Sequence, residues 1–205
     1  MTLRLFLVRH GETESNRQGL ALGRADVSLN DLGRKQAGQL AATLADEPLL
    51  AVYASPLHRT IDTARPIAAA HDLTVAIEPA FIEMDVGEVE GLSFAALRER
   101  YPQLLETWGS AEGPQSPMPG GERLLDVQER ATRAVQSLAT RHAGGDVCVV
   151  THNFVILSLI ADALAIDLAG FRRLRHAVGA ITTLELRAGR PTRVLRLNDT
   201  CHLRP

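Results

Sequence analysis

Three stretches of the chain are apolar at nearly every position: residues 3–8, broken only by Arg4, residues 147–150 and, more weakly, residues 51–54. A strand with one face in water alternates apolar and polar residues. Unbroken runs of this length fit strands covered on both faces, as in a parallel sheet. Between them the residues that would face a core recur at helical spacing: Leu32, Gln36, Leu40 and Leu44, then Leu57, Ile61, Ala64 and Ala68, then Leu124, Val127, Ala131, Val135 and Leu138. Strands alternating with helices predict an α/β fold with a mostly parallel sheet. Near the end, residues 181–186 and 193–197 flank Ala188-Gly189-Arg190-Pro191, which predicts a hairpin closing a sheet edge. Residues 112–121 are rich in Pro and Gly and read as a loop. There is no internal repeat or low-complexity tract.

With 205 residues, 45% of them hydrophobic, the chain can bury a full core, and length favours one domain over residues 1–205. Its 22 basic residues nearly balance 24 acidic ones, so no global positive field exists to draw nucleic acid. The apolar start is interrupted by Arg9 and His10, too soon for a secretory h-region, and residues 154–165 are broken by Ser158 and Asp162 and fall short of a membrane span. A cytoplasmic location is therefore expected. Cys148 and Cys201 have neither metal-ligand spacing nor a disulfide framework and are expected to be two reduced thiols.

Chemistry concentrates where the predicted strands end, the usual place for ligands in open α/β sheets. Two of the apolar runs lead into histidine, as Val8-Arg9-His10 and Val150-Thr151-His152. The third leads into Ser55-Pro56-Leu57-His58-Arg59, which puts Arg59 in the first turns of a helix. Two arginines and two histidines at one rim suit a tetrahedral dianion, because guanidinium forks match phosphate oxygens and keep their charge. A neutral imidazole can also attack phosphorus and carry the phosphoryl group covalently.

The run Arg9-His10-Gly11-Glu12-Thr13 with Asn16 resembles the signature of the histidine phosphatase superfamily, also called phosphoglycerate-mutase-like. Ser55 to Arg59 with Thr63-Ala64, Glu83 with Gly87, Glu90 and Gly91, Gly120-Gly121-Glu122 and Thr151-His152 are similar to that family's later blocks, in order and over nearly the whole chain. The resemblance implies a three-layer domain, with helices on both faces of the sheet, and hydrolysis of phosphomonoesters through a phosphohistidine. It implies His10 as nucleophile, with Arg9, Asn16, Arg59 and His152 holding the phosphoryl group. Glu83 is implied as proton donor to the leaving oxygen, with Asp85 as the alternative. No metal or other cofactor is implied.

The chain departs from the family pattern in three places. Asn153-Phe154 stands where many members have a pair of small residues after the second histidine, Leu22-Gly23 where relatives often have Gln-Gly, and Met84 where mutases have an arginine after the acid. The last, with the short chain, favours the branch of broad-specificity and α-ribazole phosphatases over a phosphoglycerate mutase. A non-catalytic phosphate-binding module would be expected to have lost a core residue, and none is missing. A metal hydrolase on His10, Glu83 and His152 lacks ligand spacing, and two arginines would repel the cation; activity after exhaustive chelation separates the two. His58, His71, His142, His176 and His202 are expected to be structural or exposed, and Glu122 and Arg123 to lie outside the site. The expected partner is a small phosphorylated substrate, with no role for nucleic acid or membrane; the sequence leaves a homodimer open.

Overall fold

The computed structural model describes residues 2–203. Along the chain run β1 (Thr2–Arg9), a single turn α1 (Glu14–Arg17), α2 (Asp31–Leu44), β2 (Leu49–Ala54), α3 (His58–Ala69) and β3 (Val75–Ile77). Then come α4 (Phe94–Arg100), α5 (Pro102–Trp108), α6 (Leu124–Arg141), β4 (Asp146–Thr151), α7 (Asn153–Ala163), β5 (Ile181–Arg187) and β6 (Arg193–Asp199). The six strands form one sheet in the order β3-β2-β4-β1-β5-β6. The four on the β3 side are mutually parallel, and β5 and β6 run antiparallel as the expected hairpin at the edge.

The unbroken apolar runs are explained by cover on both faces. Leu5, Leu7, Val147 and Val149 point into a core shared with α6 and α7, while Phe6, Val8, Cys148 and Val150 point into a second core under α2 and α3. All five periodic positions predicted for α6 are buried. In α2 the buried face is rotated from the prediction: Gly33 and Ala37 turn inward with Gln36, Leu40 and Leu44, and Leu32 is exposed. The reason is the close approach of the helix start to the segment after β1, where a Cβ on Gly33 would stand 2.1 Å from the Glu12 carbonyl oxygen. Only glycine lets these backbones meet.

The parallel register carries three chain segments to one rim. Arg9 pairs with Thr151, and the His10 amide donates to the Thr151 carbonyl at 3.1 Å, so His10 and His152 leave adjacent strands side by side. On the other flank of β4, the Ser55 amide donates to the Val150 carbonyl at 3.1 Å. Among the described residues no helix is long and apolar enough to cross a membrane. Cys148 is buried within the sheet, where desolvation pushes its thiol up to about 12, and Cys201 is exposed.

Candidate active site

The segment that carries His10 is clamped by two helix starts. On the α2 side, Asn30 caps the helix by accepting from the Gly33 amide at 2.8 Å and donates its own amide to Glu12 Oε1 at 2.8 Å, while the Glu12 amide donates to Gln36 Oε1 at 2.8 Å. On the α3 side, the Gly11 amide donates to Thr63 Oγ1 at 3.0 Å, and that hydroxyl in turn donates to the Arg59 carbonyl at 2.7 Å. His10 is 2% exposed and its Nδ1 lies 2.8 Å from the Gly11 carbonyl. A carbonyl only accepts, so Nδ1 carries the proton and the Nε2 lone pair is presented for chemistry. The rings of His10 and His152 are 5.3 Å apart, edge to face. Burial, then Arg59 and Arg9, hold His10 well below the ordinary imidazole range, and the same influences with His10 act on His152. Both rings are neutral near pH 7.

Arg59 is fully buried, the consequence of a helix whose first turns face the rim rather than the core. Its Nη1 donates to the Ala25 carbonyl at 2.7 Å and Nη2 to the Gly23 carbonyl at 2.6 Å. The Gly23 to Ala25 turn is itself held by Glu90, whose oxygens accept from the Gly23 and Ala25 amides at 2.8 and 3.1 Å. Arg9 Nη1 donates to the His176 carbonyl. Buried Arg9 Nε, Arg59 Nε and His152 Nδ1 have no hydrogen-bond partner among the described residues, whereas His152 Nε2 is 2.7 Å from Ser55 Oγ. Buried polar nitrogens without partners are uncommon and call for an explanation; Arg9 and Arg59 act electrostatically on His10 and the His152 ring is in contact with it, so open donors on these residues suit an anion.

Glu83 is 3% exposed and sits among these cations. It accepts from the Met84 amide at 2.8 Å and, through the other oxygen, from the Phe154 amide at 3.3 Å. Burial raises its pKa, and the two amides, Arg59 and Arg9 oppose that rise without cancelling it. Its backbone is fixed from below: the Thr151 hydroxyl donates to the Phe81 carbonyl at 2.7 Å, and Arg24 and Arg130 donate to the Glu83 carbonyl at 3.3 and 3.2 Å. Glu122 braces the same loop by accepting from the Asp85 amide at 3.0 Å and pairing with Arg24 and Arg130. Asp85, the alternative acid, is engaged with the Gly87 amide and Arg24.

A cleft of about 590 Å³ is lined by Arg9, Asn16, Asn153, Arg175 and His176, while His10, Arg59, Glu83 and His152 do not line it. Asn16 Oδ1 is used in capping α1, accepting from the Thr13 amide and hydroxyl at 3.2 and 2.9 Å, while the residue lines the cleft. A larger cavity of about 650 Å³, between α6 and the β5–β6 turn, borders Leu3 and Leu186 at the opposite end of β1 and holds none of these groups. Among the described residues no three of His, Cys, Asp and Glu gather as metal ligands.

The remaining histidines divide. His58 pairs with Asp26 at the surface, and His71, His142 and His202 make bonds outside the rim. His176 is 2% exposed and borders the cleft, which its sequence neighbours did not signal, because only the turn before β5 brings it to Arg9. Ser55 and Thr63 were visible only as parts of motif blocks; their work is to orient other groups. Glu122, expected to lie outside the site, braces the Glu83 loop, and Arg123 is tied to Asp126 in the first turn of α6.

Comparison with known proteins gives one consistent answer. The profile of the Histidine phosphatase superfamily (branch 1) matches residues 5–200. The chain is 35% identical over 202 residues to phosphoserine phosphatase 1 of Hydrogenobacter thermophilus, covering 98% of this chain and 94% of that protein. It is also 35% identical over 201 residues to a bifunctional protein of Mycobacterium tuberculosis, covering 98% of this chain but only 55% of that longer protein. Among solved structures, Bacillus stearothermophilus YhfR superposes with a TM-score of 0.91 at 30% identity, covering 98% of this chain and all of that one.

Proposed function

Since the chain belongs to the histidine phosphatase superfamily, we propose that it hydrolyses small phosphomonoesters without a metal ion, through a phosphohistidine on His10. The observation that carries this reading is the neutral, buried His10 with Nδ1 tied to the Gly11 carbonyl, near Arg9, Arg59 and His152, each of which has a buried nitrogen without a partner among the described residues. In the first step Nε2 attacks phosphorus, the bond to the ester oxygen breaks, and Glu83 delivers its proton to that oxygen. Arg9, Arg59, His152 and Asn16 surround the equatorial oxygens, where the transferring group spreads its charge and fixed donors stabilise it most. In the second step a water loses its proton to the Glu83 carboxylate as its oxygen displaces the imidazole. The raised pKa of Glu83 and the lowered pKa of His10 each favour the protonation state this sequence needs.

Hydrolysis fits better than a mutase reaction, since the residue after the acid is Met84, fully buried and without charge. The family match over residues 5–200 and the single sheet support reading residues 1–205 as one domain. The net charge of −2 supports a small soluble substrate over nucleic acid, with the cytoplasm as the expected place of work. The decisive test is to quench turnover of a ³²P-labelled ester in base, where phosphohistidine survives. Label should appear on the wild-type chain and be absent from His10→Ala, which should lose turnover while keeping its circular dichroism spectrum. Near-wild-type hydrolysis by His10→Ala would overturn the mechanism.

A further inference from the structure

Two of the positions at which the chain departs from its family pattern, Leu22 and Phe154, are 132 residues apart in sequence yet line one cavity. It has a volume of about 250 Å³, room for roughly eight waters at about 30 Å³ each. Its wall is largely apolar, with Leu22, Val86, Leu97, Phe154 and Trp108 on it, and the exposed Arg172 is its one charged lining residue. Phe154, Trp108 and Phe171 pack edge to face or tilted, with ring centres 5.7 to 6.1 Å apart, so three of the chain's eight aromatic residues meet here. Leu22, Leu97, Leu104 and Phe154 are only half-buried, which leaves this apolar wall reachable from solvent.

The cavity adjoins the chemistry through the backbone. Phe154 is the residue whose amide donates to Glu83 Oε2, Val86 follows Glu83 by three positions, and Leu22 precedes the Gly23 carbonyl that holds Arg59. Glu83, the proposed proton donor, is thus one hydrogen bond from a residue of the cavity wall, while Glu83 itself does not line the cavity. Resting on the proposed phosphatase reaction, we propose that this cavity receives the organic part of the substrate, so that the enzyme selects phosphate esters of apolar alcohols over esters of small polar ones. An apolar moiety gains from leaving water here, while a hydroxylated one would lose hydration along most of the wall, whose polar groups are the exposed Arg172 and the Trp108 Nε1.

The test uses primary n-alkyl phosphates from ethyl to octyl, whose leaving alcohols have nearly equal basicity, so the chemistry is constant and only burial varies. For the wild type, kcat/KM should rise about three- to fourfold per methylene until the cavity is full, and octyl phosphate should exceed glycerol 1-phosphate, whose alcohol is polar but uncharged, by at least about a hundredfold. Leu22→Gln and Leu97→Gln, both at half-buried positions, should flatten the rise to less than about twofold per methylene. A flat series in the wild type, or an unchanged slope in both variants, overturns the proposal even though the phosphatase stands. Absence of turnover and of labelled His10 with every ester would instead reject the reaction on which it rests.

Discussion

At the scale of single residues, the site depends on two protonation states set by burial. In the proposed mechanism His10 must be neutral to attack and Glu83 must hold a proton to release the alcohol, and desolvation is the leading cause of both shifts, downward for the imidazole and upward for the carboxyl. With alkyl esters, kcat/KM should therefore fall as pH rises through the raised pKa of Glu83. Aryl esters should lack that limb, because nitrophenolate leaves without a proton. Glu83→Gln should phosphorylate His10 from p-nitrophenyl phosphate and then stall, since the amide cannot take a proton from water. A stoichiometric burst of nitrophenol followed by slow turnover is the expected trace; equal losses on alkyl and aryl substrates with no burst would move the acid role to Asp85.

At the scale of elements, the proposed nucleophile His10 is placed by backbone contacts between the end of β1 and the starts of α2 and α3. The tightest is at Gly33, where an added Cβ would meet Glu12 backbone atoms at 2.1 to 3.0 Å. Gly33→Ala would raise intrinsic helix propensity, yet the clash is with main chain and has no flexible side chain to absorb it. The variant should lose about 1–3 kcal/mol of stability in urea titration, the usual cost of overpacking. Its kcat/KM should drop at least about tenfold, because Gly11 and the His10 ring shift with the displaced segment. A neutral or stabilising effect would show that α2 does not determine where His10 stands. The Glu83 loop follows the same logic: Gly87, at a φ of +54°, lies against the Pro119 to Gly121 turn, so that Glu122 can reach the Asp85 amide.

At the scale of the whole molecule, the same burial makes stability depend on pH. His10, His152 and His176 are all held below the ordinary imidazole range, His176 at about 4, with burial the largest cause in each. The unfolded chain protonates them near pH 6.5 and the folded chain does not, so the unfolded state binds more protons and stability rises with pH across this range. That stability is fully present above about 6.5 and is lost as pH falls toward the folded values, by up to about 1.4 kcal/mol per pH unit for each histidine. Glu83 acts in the opposite sense, because its folded pKa is raised. His176→Gln, which keeps a partner for Thr182 Oγ1, now 2.9 Å from Nε2, should reduce the slope of unfolding free energy between pH 6 and 5 by about one histidine's share. An unchanged slope would mean that His176 is not buried neutral in solution.

What the sequence determined by itself was what local patterning can carry. Both-face burial left β1 and β4 as nearly unbroken apolar runs, the α6 stripe kept its period, and the motif blocks marked His10, Arg59 and His152, which stand at the ends of elements that the pattern reveals, and Glu83, which lies in a loop. Tertiary structure decided everything that depends on partners distant in sequence. Parallel register put His10 beside His152, the Gly33 contact rotated the buried face of α2, and the approach of the turn before β5 made His176 a wall of the cleft. Glu122, taken from sequence as a residue outside the site, became a brace for the acid loop through Arg24 and Arg130. Leu22 and Phe154 were visible as departures from a pattern, but a side chain's meaning as part of a cavity exists only once the opposite wall is in place. Secondary structure is written in neighbours three or four residues apart; a pocket is written in contacts across the fold, and no local period encodes them.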